Sequence, residues 1–489
     1  MRTVSVFFYS IGNKAGISLE FMKTKPLLMA EGGYWHEETD HERARRPRGL
    51  YTHLLEVPWQ RESIETSTVM NSLGYGSHIR KARREVYDSI GSAHVFTTGS
   101  KAEGLTNYLE SDMDIMTVLQ DVMCLENDVS YDILPRKITV FTLNTGECYH
   151  GHCRLALERL GANIHTSVRN ALCADEDGRA LLCSDLYVNA YDELHVGVDP
   201  RNVRHERAGP STPRSLIGAF NIDIVHSLYC YCPSILRKWA ERRRHWPPPD
   251  VVHKIVSMGA FVTPVGFKGS EYKHVEWRIC FNTGENYLVN CLNNTQVYIY
   301  VLLKMVIKEV LKPLKKELSS YTVKNIVLWI AENIPQELFN ERTLLHWLRE
   351  GLVELRSAIL TENLSYYMIT ERNLMAACGL DETQKRTWIQ MITDMIDEGP
   401  KVLRRIPKIR RAIISHPEPL MWYGKRRMEI ELLVLKQLIK MIQHRAYNDV
   451  ESDTMIQAIN RRIHEILRSL KGCVGKEVWL IIRLIYLNI

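Results

Sequence analysis

No apolar stretch of the 489-residue sequence is long enough to cross a membrane. The longest, "VWLIIRLIYL" near the C-terminus, is interrupted by Arg483 and reads as a buried helix. The opening "MRTVSVFFYSIG" has a short apolar run but no small-residue cleavage pattern, so no cleavable signal is expected. The eleven cysteines follow no regular spacing, which with the missing signal points to a reducing, cytoplasmic setting. Internal repeats and low-complexity tracts are also missing. Neither sign of charge dominates: 63 Lys and Arg against 57 Asp and Glu leave a net +6, mildly basic, which permits an anionic ligand without demanding one.

What is present is the composition of a soluble globular protein, 45% hydrophobic and 25% charged, in a chain long enough for two or three packed units. Residues 1–62, which include the charged "HEETDHERARRPRGLY", read as an irregular extension. From Ser63 the apolar and basic residues alternate as in one long helix leading to a strand region, and residues 63–232 form the expected core. Helical spacing dominates 233–375, with "SILRKWAERRRHW" and "QVYIYVLLKMVIKEVLKPLKKEL" both basic on one side. Residues 376–489 look like an appended helical region carrying the cation cluster "KVLRRIPKIRRAI".

The most informative stretch is "VFTTGSKAEGLTNYLESDMDIM", Val95 to Met116. On a strand, Asp112 and Asp114 project from the same side. Carboxylates that close repel one another, and the usual remedy is a divalent cation. Mg²⁺ suits them because it takes one or two carboxylates and leaves other positions for water and substrate phosphates. Upstream, Gly99 permits a tight turn and Ser100 offers a hydroxyl and an N–H to a phosphate. A Gly-Ser turn followed by a D-x-D strand is the layout of a nucleotidyltransferase, one element for the triphosphate and one for its metal. The plainer alternative makes the two aspartates, with Glu110, the solvated face of an edge strand. A third acid is offered by "LIGAFNIDIVHSLYC", where Asp223 is the one charged residue of an apolar strand and is costly there unless paired or metal-bound. A capped or salt-bridged structural aspartate is the alternative.

"GS", "SDMDIM", "FNIDIV", "VEWRICF", "LLKMVIK" and "SSYTVK" resemble, in order, the conserved blocks of the cyclic GMP-AMP synthase-like receptors, which share a nucleotidyltransferase fold with the male-abnormal (Mab) developmental proteins. The resemblance runs from about Ser63 to Met375. It implies an α+β, bilobal nucleotidyltransferase fold: a mixed sheet in the catalytic core, a helical C-terminal lobe completing the nucleotide site, and the helical tail appended. It implies that Asp112, Asp114 and Asp223 hold Mg²⁺, with Mn²⁺ as an alternative, and that Gly99 and Ser100 contact the donor triphosphate. Arg278, with Lys268 as its basic neighbour, would face the acceptor nucleotide; Lys304 and Ser320 would reach the donor phosphates and Tyr321 would stack on a base. As plain residues, Arg278, Lys268 and Lys304 also read as surface cations, Trp277 as core and Tyr321 as a helix-packing aromatic. The implied reaction is nucleotidyl transfer performed twice on ATP and/or GTP, giving a cyclic dinucleotide for innate immune signalling, with Asp223 as the group that accepts the attacking hydroxyl's proton. The rival expectation is a catalytically silent relative acting as a developmental or scaffold protein.

No zinc is expected: the segment after "WRICF" carries only Cys291 where the DNA-sensing relative has a His/Cys insertion. This favours RNA over DNA as an activating nucleic acid. "ECYHGHCR" packs Cys148, His150, His152 and Cys153 too closely to close a tetrahedron, and Cys230 with Cys232 reads as strand-end packing. For an RNA duplex, the basic faces are "HIRKARRE" and "RKWAERRRHW", the alternative being solvated helix faces.

Overall fold

The computed structural model describes residues 58–107, 110–194, 202–207, 209–216, 221–311, 318–376, 378–443 and 454–470. The expectations for residues 1–57 and for "VWLIIRLIYL" lie outside them.

The expected single leading helix is two. Helix α1 (Gln60–Met70) begins three residues before the expected Ser63 and passes through a wide turn, Asn71–Tyr75, into α2 (Ser77–Ile90). The break lies at "GYG": Gly74 has φ 82°, a left-handed conformation that suits glycine, and Gly76 is extended. A Cβ on Gly74 would stand 2.8 Å from Arg427 Nη2 of a C-terminal helix, so the break is shaped from far along the chain.

After α2 come β1 (Val95–Thr98), the one-turn helix α3 (Gly99–Ala102) and the long β2 (Met113–Glu126). β3 (Thr139–Asn144), β4 (His152–Arg159), α4 (Thr166–Arg169), β5 (Leu172–Ala174), β6 (Ala180–Leu182) and α5 (Ser184–Leu194) follow. Then come β7 (Asn202–Arg204), β8 (Ser211–Leu216), β9 (Asn221–Tyr231), α6 (Pro233–Ala240), α7 (Pro249–Met258), β10 (Ala260–Thr263) and β11 (Glu276–Cys280). The sheet is mixed. β2 and β9 run parallel along most of their length, β2 and β3 are also parallel, and β1–β2, β3–β4, β8–β9, β9–β10, β10–β11 and β4–β11 are antiparallel. Because β9 pairs with both β10 and β2, the path β2-β3-β4-β11-β10-β9 returns to its start. Met113, Ile115, Val118 and Val122 of β2 are buried, as are Ile222, Ile224 and Leu228 of β9. Two apolar central strands side by side are what a sheet covered on its faces needs.

β10 and β11 come from beyond residue 232, so a boundary drawn there cuts through the sheet. The reason is that the path closes only through them.

The remaining elements are helical: α8 (Asn282–Cys291), α9 (Asn294–Met305), α10 (Ser320–Asn333), α11 (Leu344–Thr361), α12 (Glu382–Asp397), α13 (Pro407–Ile414), α14 (Leu420–Gln443) and α15 (Thr454–Leu470). Asn293 caps α9 reciprocally with Gln296, which fixes where the helix carrying Lys304 starts. One apolar cluster includes Met70, Phe141, Trp277, Leu302, Leu352, Trp388 and Ile409, tying sheet and helices together, while Ile430, Val434, Ile459 and Ile463 form a smaller cluster in α14 and α15. The architecture is α+β with a mixed sheet. No described helix is long and apolar enough to cross a membrane.

Candidate active site

The parallel register of β2 and β9 sets Asp114 directly beside Asp223. Neighbouring strands lie about 4.8 Å apart, so the two residues are immediate neighbours across the strands. Asp112 is exposed and lies one residue short of β2, in the approach to it rather than on the strand as expected. The turn before it explains this: Thr106 Oγ1 and Ser111 Oγ are 3.1 Å apart, and the Glu110 N–H donates to the Asn107 carbonyl at 3.3 Å, so the chain is still curving at Ser111.

The acids disturb one another. Burial, then Asp223 and Asp112, push the Asp114 carboxyl up to about 6. Burial and Asp112 raise Asp223 as well. Lys101, 2% exposed, donates to the Asn107 carbonyl at 3.3 Å; burial brings its ammonium down to about 8 against the opposing pull of Asp114 and Glu110.

Pairing Thr98 with Asp114 across β1 and β2 brings Gly99 against the aspartate. Gly99 has φ 65°, and a Cβ there would collide with Asp114 Oδ2. The glycine is therefore the space into which the carboxylate turns. Beside it Lys304 Nζ donates to Ser100 Oγ, joining α9 to the Gly-Ser turn. Burial lowers the Lys304 ammonium, with Glu103 and Asp114 opposing. Of the residues the sequence singled out, Gly99, Ser100, Lys304, Asp114 and Asp223 therefore meet, with Asp112 at their edge.

The test for a divalent cation divides. Three oxygen-donor acids, two of them pushed up by burial and then by neighbouring acids, are the right chemistry for Mg²⁺. Yet among the described residues no group of three or more His, Cys, Asp or Glu side chains is arranged to hold a metal ion.

A second, buried polar group lies behind the Gly-Ser turn, and the sequence did not reveal it. Lys324 Nζ of α10 is 2.7 Å from Glu103 Oε1 and 3.3 Å from Glu285 Oε2 of α8. Tyr321 and Tyr366 donate to Glu285 Oε1 at 2.8 and 2.6 Å, and Tyr300 donates to Glu103 Oε2 at 3.2 Å. Tyr321 is thus held by its hydroxyl, its ring 5.8 Å from that of Tyr366. Ser320 is the half-buried first residue of α10. Arg278 donates to Cys280 Sγ at 3.4 Å and belongs with Arg372, whose guanidinium lies 4.9 Å from the Tyr366 ring. These two cations, after burial, drive the His152 imidazole down to about 3, which leaves it neutral. Lys268 stands apart on an exposed turn, its Nζ 3.9 Å from where a Cβ on Gly379 would lie. Trp277 is fully buried, its indole N–H donating to the Leu182 carbonyl at 2.8 Å. Glu103, only a few residues past Ser100, was the available signal for this network.

The basic faces are engaged in part by other segments of the fold. Arg80 is 3% exposed and donates to the Tyr75 carbonyl and to Asn294; Arg83 is 2% exposed and pairs with Glu431. In "RKWAERRRHW", Arg242 pairs with Glu332 and lies over the Trp329 and Tyr367 rings, Lys238 meets Glu371, and Arg244 stacks on Trp239. Of the cations in these segments, Arg80 and Arg83 turn inward while Lys81, Arg237, Lys238 and Arg243 stay exposed.

No protein-family model matches the chain, and no curated protein is similar to it.

Proposed function

We propose that the chain is a bilobal nucleotidyltransferase that joins ATP and/or GTP into a cyclic dinucleotide when an activating ligand binds, acting in the cytoplasm in innate immune signalling. What supports the reading is the placement of Asp114 beside Asp223 with Gly99, Ser100 and Lys304 grouped around them. Ser100 and Lys304 would hold the donor triphosphate, and Arg278 the acceptor. Glu285 fixes the Tyr321 ring for stacking through its hydroxyl. Mg²⁺ or Mn²⁺, held by Asp112, Asp114 and Asp223, would lower the pKa of the attacking ribose hydroxyl and neutralise the leaving pyrophosphate. The ribose oxygen bonds to the α-phosphorus, the bond to pyrophosphate breaks, and Asp223 accepts the hydroxyl proton. Its raised pKa suits that task. Double-stranded RNA remains the activating class to test first.

One observation favours the rival reading of a silent scaffold protein: Arg80 and Arg83, two of the cations expected to meet a nucleic acid, are buried in the fold. Purified protein with Mg²⁺, radiolabelled nucleoside triphosphates and a panel of RNA and DNA ligands decides between them. A phosphatase-resistant product, lost in Asp112→Asn with Asp114→Asn, is expected; no product with any ligand favours the scaffold.

A further inference from the structure

The C-terminal helices reach the approach to Asp112. Lys408, at the start of α13, places its Nζ 2.9 Å from Glu110 Oε1 and 2.8 Å from Tyr75 Oη, and 5.2 Å from the centre of the Tyr75 ring. Glu110 stands two residues before Asp112, and its other oxygen accepts from the Asn107 N–H at 3.3 Å. Tyr75 is 4% exposed and ends the break in the leading helix. The ammonium therefore joins three segments: the C-terminal region, the break between α1 and α2, and the turn that delivers Asp112.

A second contact repeats the connection. Arg83 donates through Nη1 to the carbonyls of Gly74 and Gly104, at 2.9 and 3.1 Å, so it links the same break to the chain leaving the Gly-Ser turn. Its remaining donors reach Glu431 of α14 at 2.6 and 2.9 Å. Two C-terminal helices thus each supply a charged group to this junction, one beside each element of the candidate site.

We propose that Lys408 is a positioning residue for the candidate metal site: by holding Glu110 against Tyr75 it sets where Asp112 stands relative to Asp114 and Asp223. The inference rests on the reading of those aspartates as metal ligands and deepens it by giving the C-terminal region a part in the site. A merely structural contact would alter stability alone. A positioning contact alters how tightly the aspartates take a cation and leaves turnover at saturating cation close to that of the wild type. It also depends on the opposite charges of the pair, not on which residue carries which sign.

The test is a titration of the full chain with Mn²⁺ alone, following free Mn²⁺ by electron paramagnetic resonance. Wild type is compared with Lys408→Met, Glu110→Gln, Lys408→Arg and the exchanged pair Lys408→Glu with Glu110→Lys. Loss of the groups that orient metal ligands commonly costs tenfold or more, and a pair acting one step further out, through the backbone before Asp112, should weaken Mn²⁺ binding about tenfold in Lys408→Met and Glu110→Gln. Lys408→Arg and the exchanged pair should bind within about threefold of wild type, a margin well inside that effect. Thermal melting of each variant checks that it is folded. Equal Mn²⁺ affinity in wild type and Lys408→Met overturns the inference, as does failure of both charge-conserving variants to recover binding while folded. If wild type itself binds no Mn²⁺, the metal site falls and the inference with it, a result distinct from the other two.

Discussion

Gly99 leaves open the space that the Asp114 carboxylate occupies. A methyl group there would displace the carboxylate and also strain a backbone at φ 65°. Gly99→Ala should reduce nucleotidyl transfer about 100-fold, the order expected from misplacing a reacting group by an ångström. Initial rates at saturating nucleotide measure it, and a fold-change below threefold would show that the Asp114 position is immaterial.

The crowding of the acids should be visible in stability. Burial, with Asp223 and Asp112 behind it, raises Asp114 from an ordinary 3.8 to about 6. A carboxyl whose pKa is higher folded than unfolded favours the fold below its unfolded pKa, and that contribution is lost as pH rises through 4 to 6. At pH 7 without metal, the ionised Asp114 should therefore destabilise the protein by about 3 kcal/mol, and Asp114→Asn should relieve much of this. The melting temperature of Asp114→Asn should exceed that of wild type by a few degrees at pH 7.5 and match it near pH 4. Millimolar Mg²⁺ should raise the wild type and leave Asp112→Asn with Asp114→Asn unmoved.

Lys324 is the one cation within ion-pair reach of both Glu103 and Glu285 among the described residues. Lys324→Met would leave two buried carboxylates without it, at a cost of about 3–5 kcal/mol. Adding Glu103→Gln should return part of that loss, because it removes one of the stranded charges. Urea unfolding of the three variants measures the coupling, and strict additivity would contradict the network.

The Arg83–Glu431 pair, 2% and 7% exposed at the side chains, makes a similar claim for the C-terminal region. Glu431→Ala should destabilise by about 3–5 kcal/mol, since it strands a buried guanidinium, and should loosen the junction of α1, α2 and the Gly-Ser turn. Hydrogen exchange at Gly74 to Tyr75 and Gly104 to Leu105 should quicken more than at β9.

Much of the acidic core was legible because its signals are short. Gly99, Ser100, Asp112 and Asp114 fall within one stretch, and Asp223 is conspicuous as an acid among apolar strand residues. Lys304 came from the resemblance alone. The network of Glu103, Glu285, Lys324 and Tyr366 was not legible, since two of its members sit on separate helices, two lie outside any helix, and they share no spacing. The basic faces were legible as charge but not as burial: sequence shows that Arg80 and Arg83 are charged, but Asn294 and Glu431, which take them inward, are far along the chain. The break at Gly74 carried its own signal in two nearby glycines, outweighed by the helical spacing on either side.

The most direct measurement is a crystal structure with Mn²⁺ and a non-hydrolysable nucleoside triphosphate, read by the anomalous signal of the ion. The expected result is density for Mn²⁺ bounded by Asp112, Asp114 and Asp223, with the triphosphate at Ser100 and Lys304. Nucleotide bound elsewhere, or Asp223 turned away from an ion held without it, would contradict a catalytic site at this pair of strands.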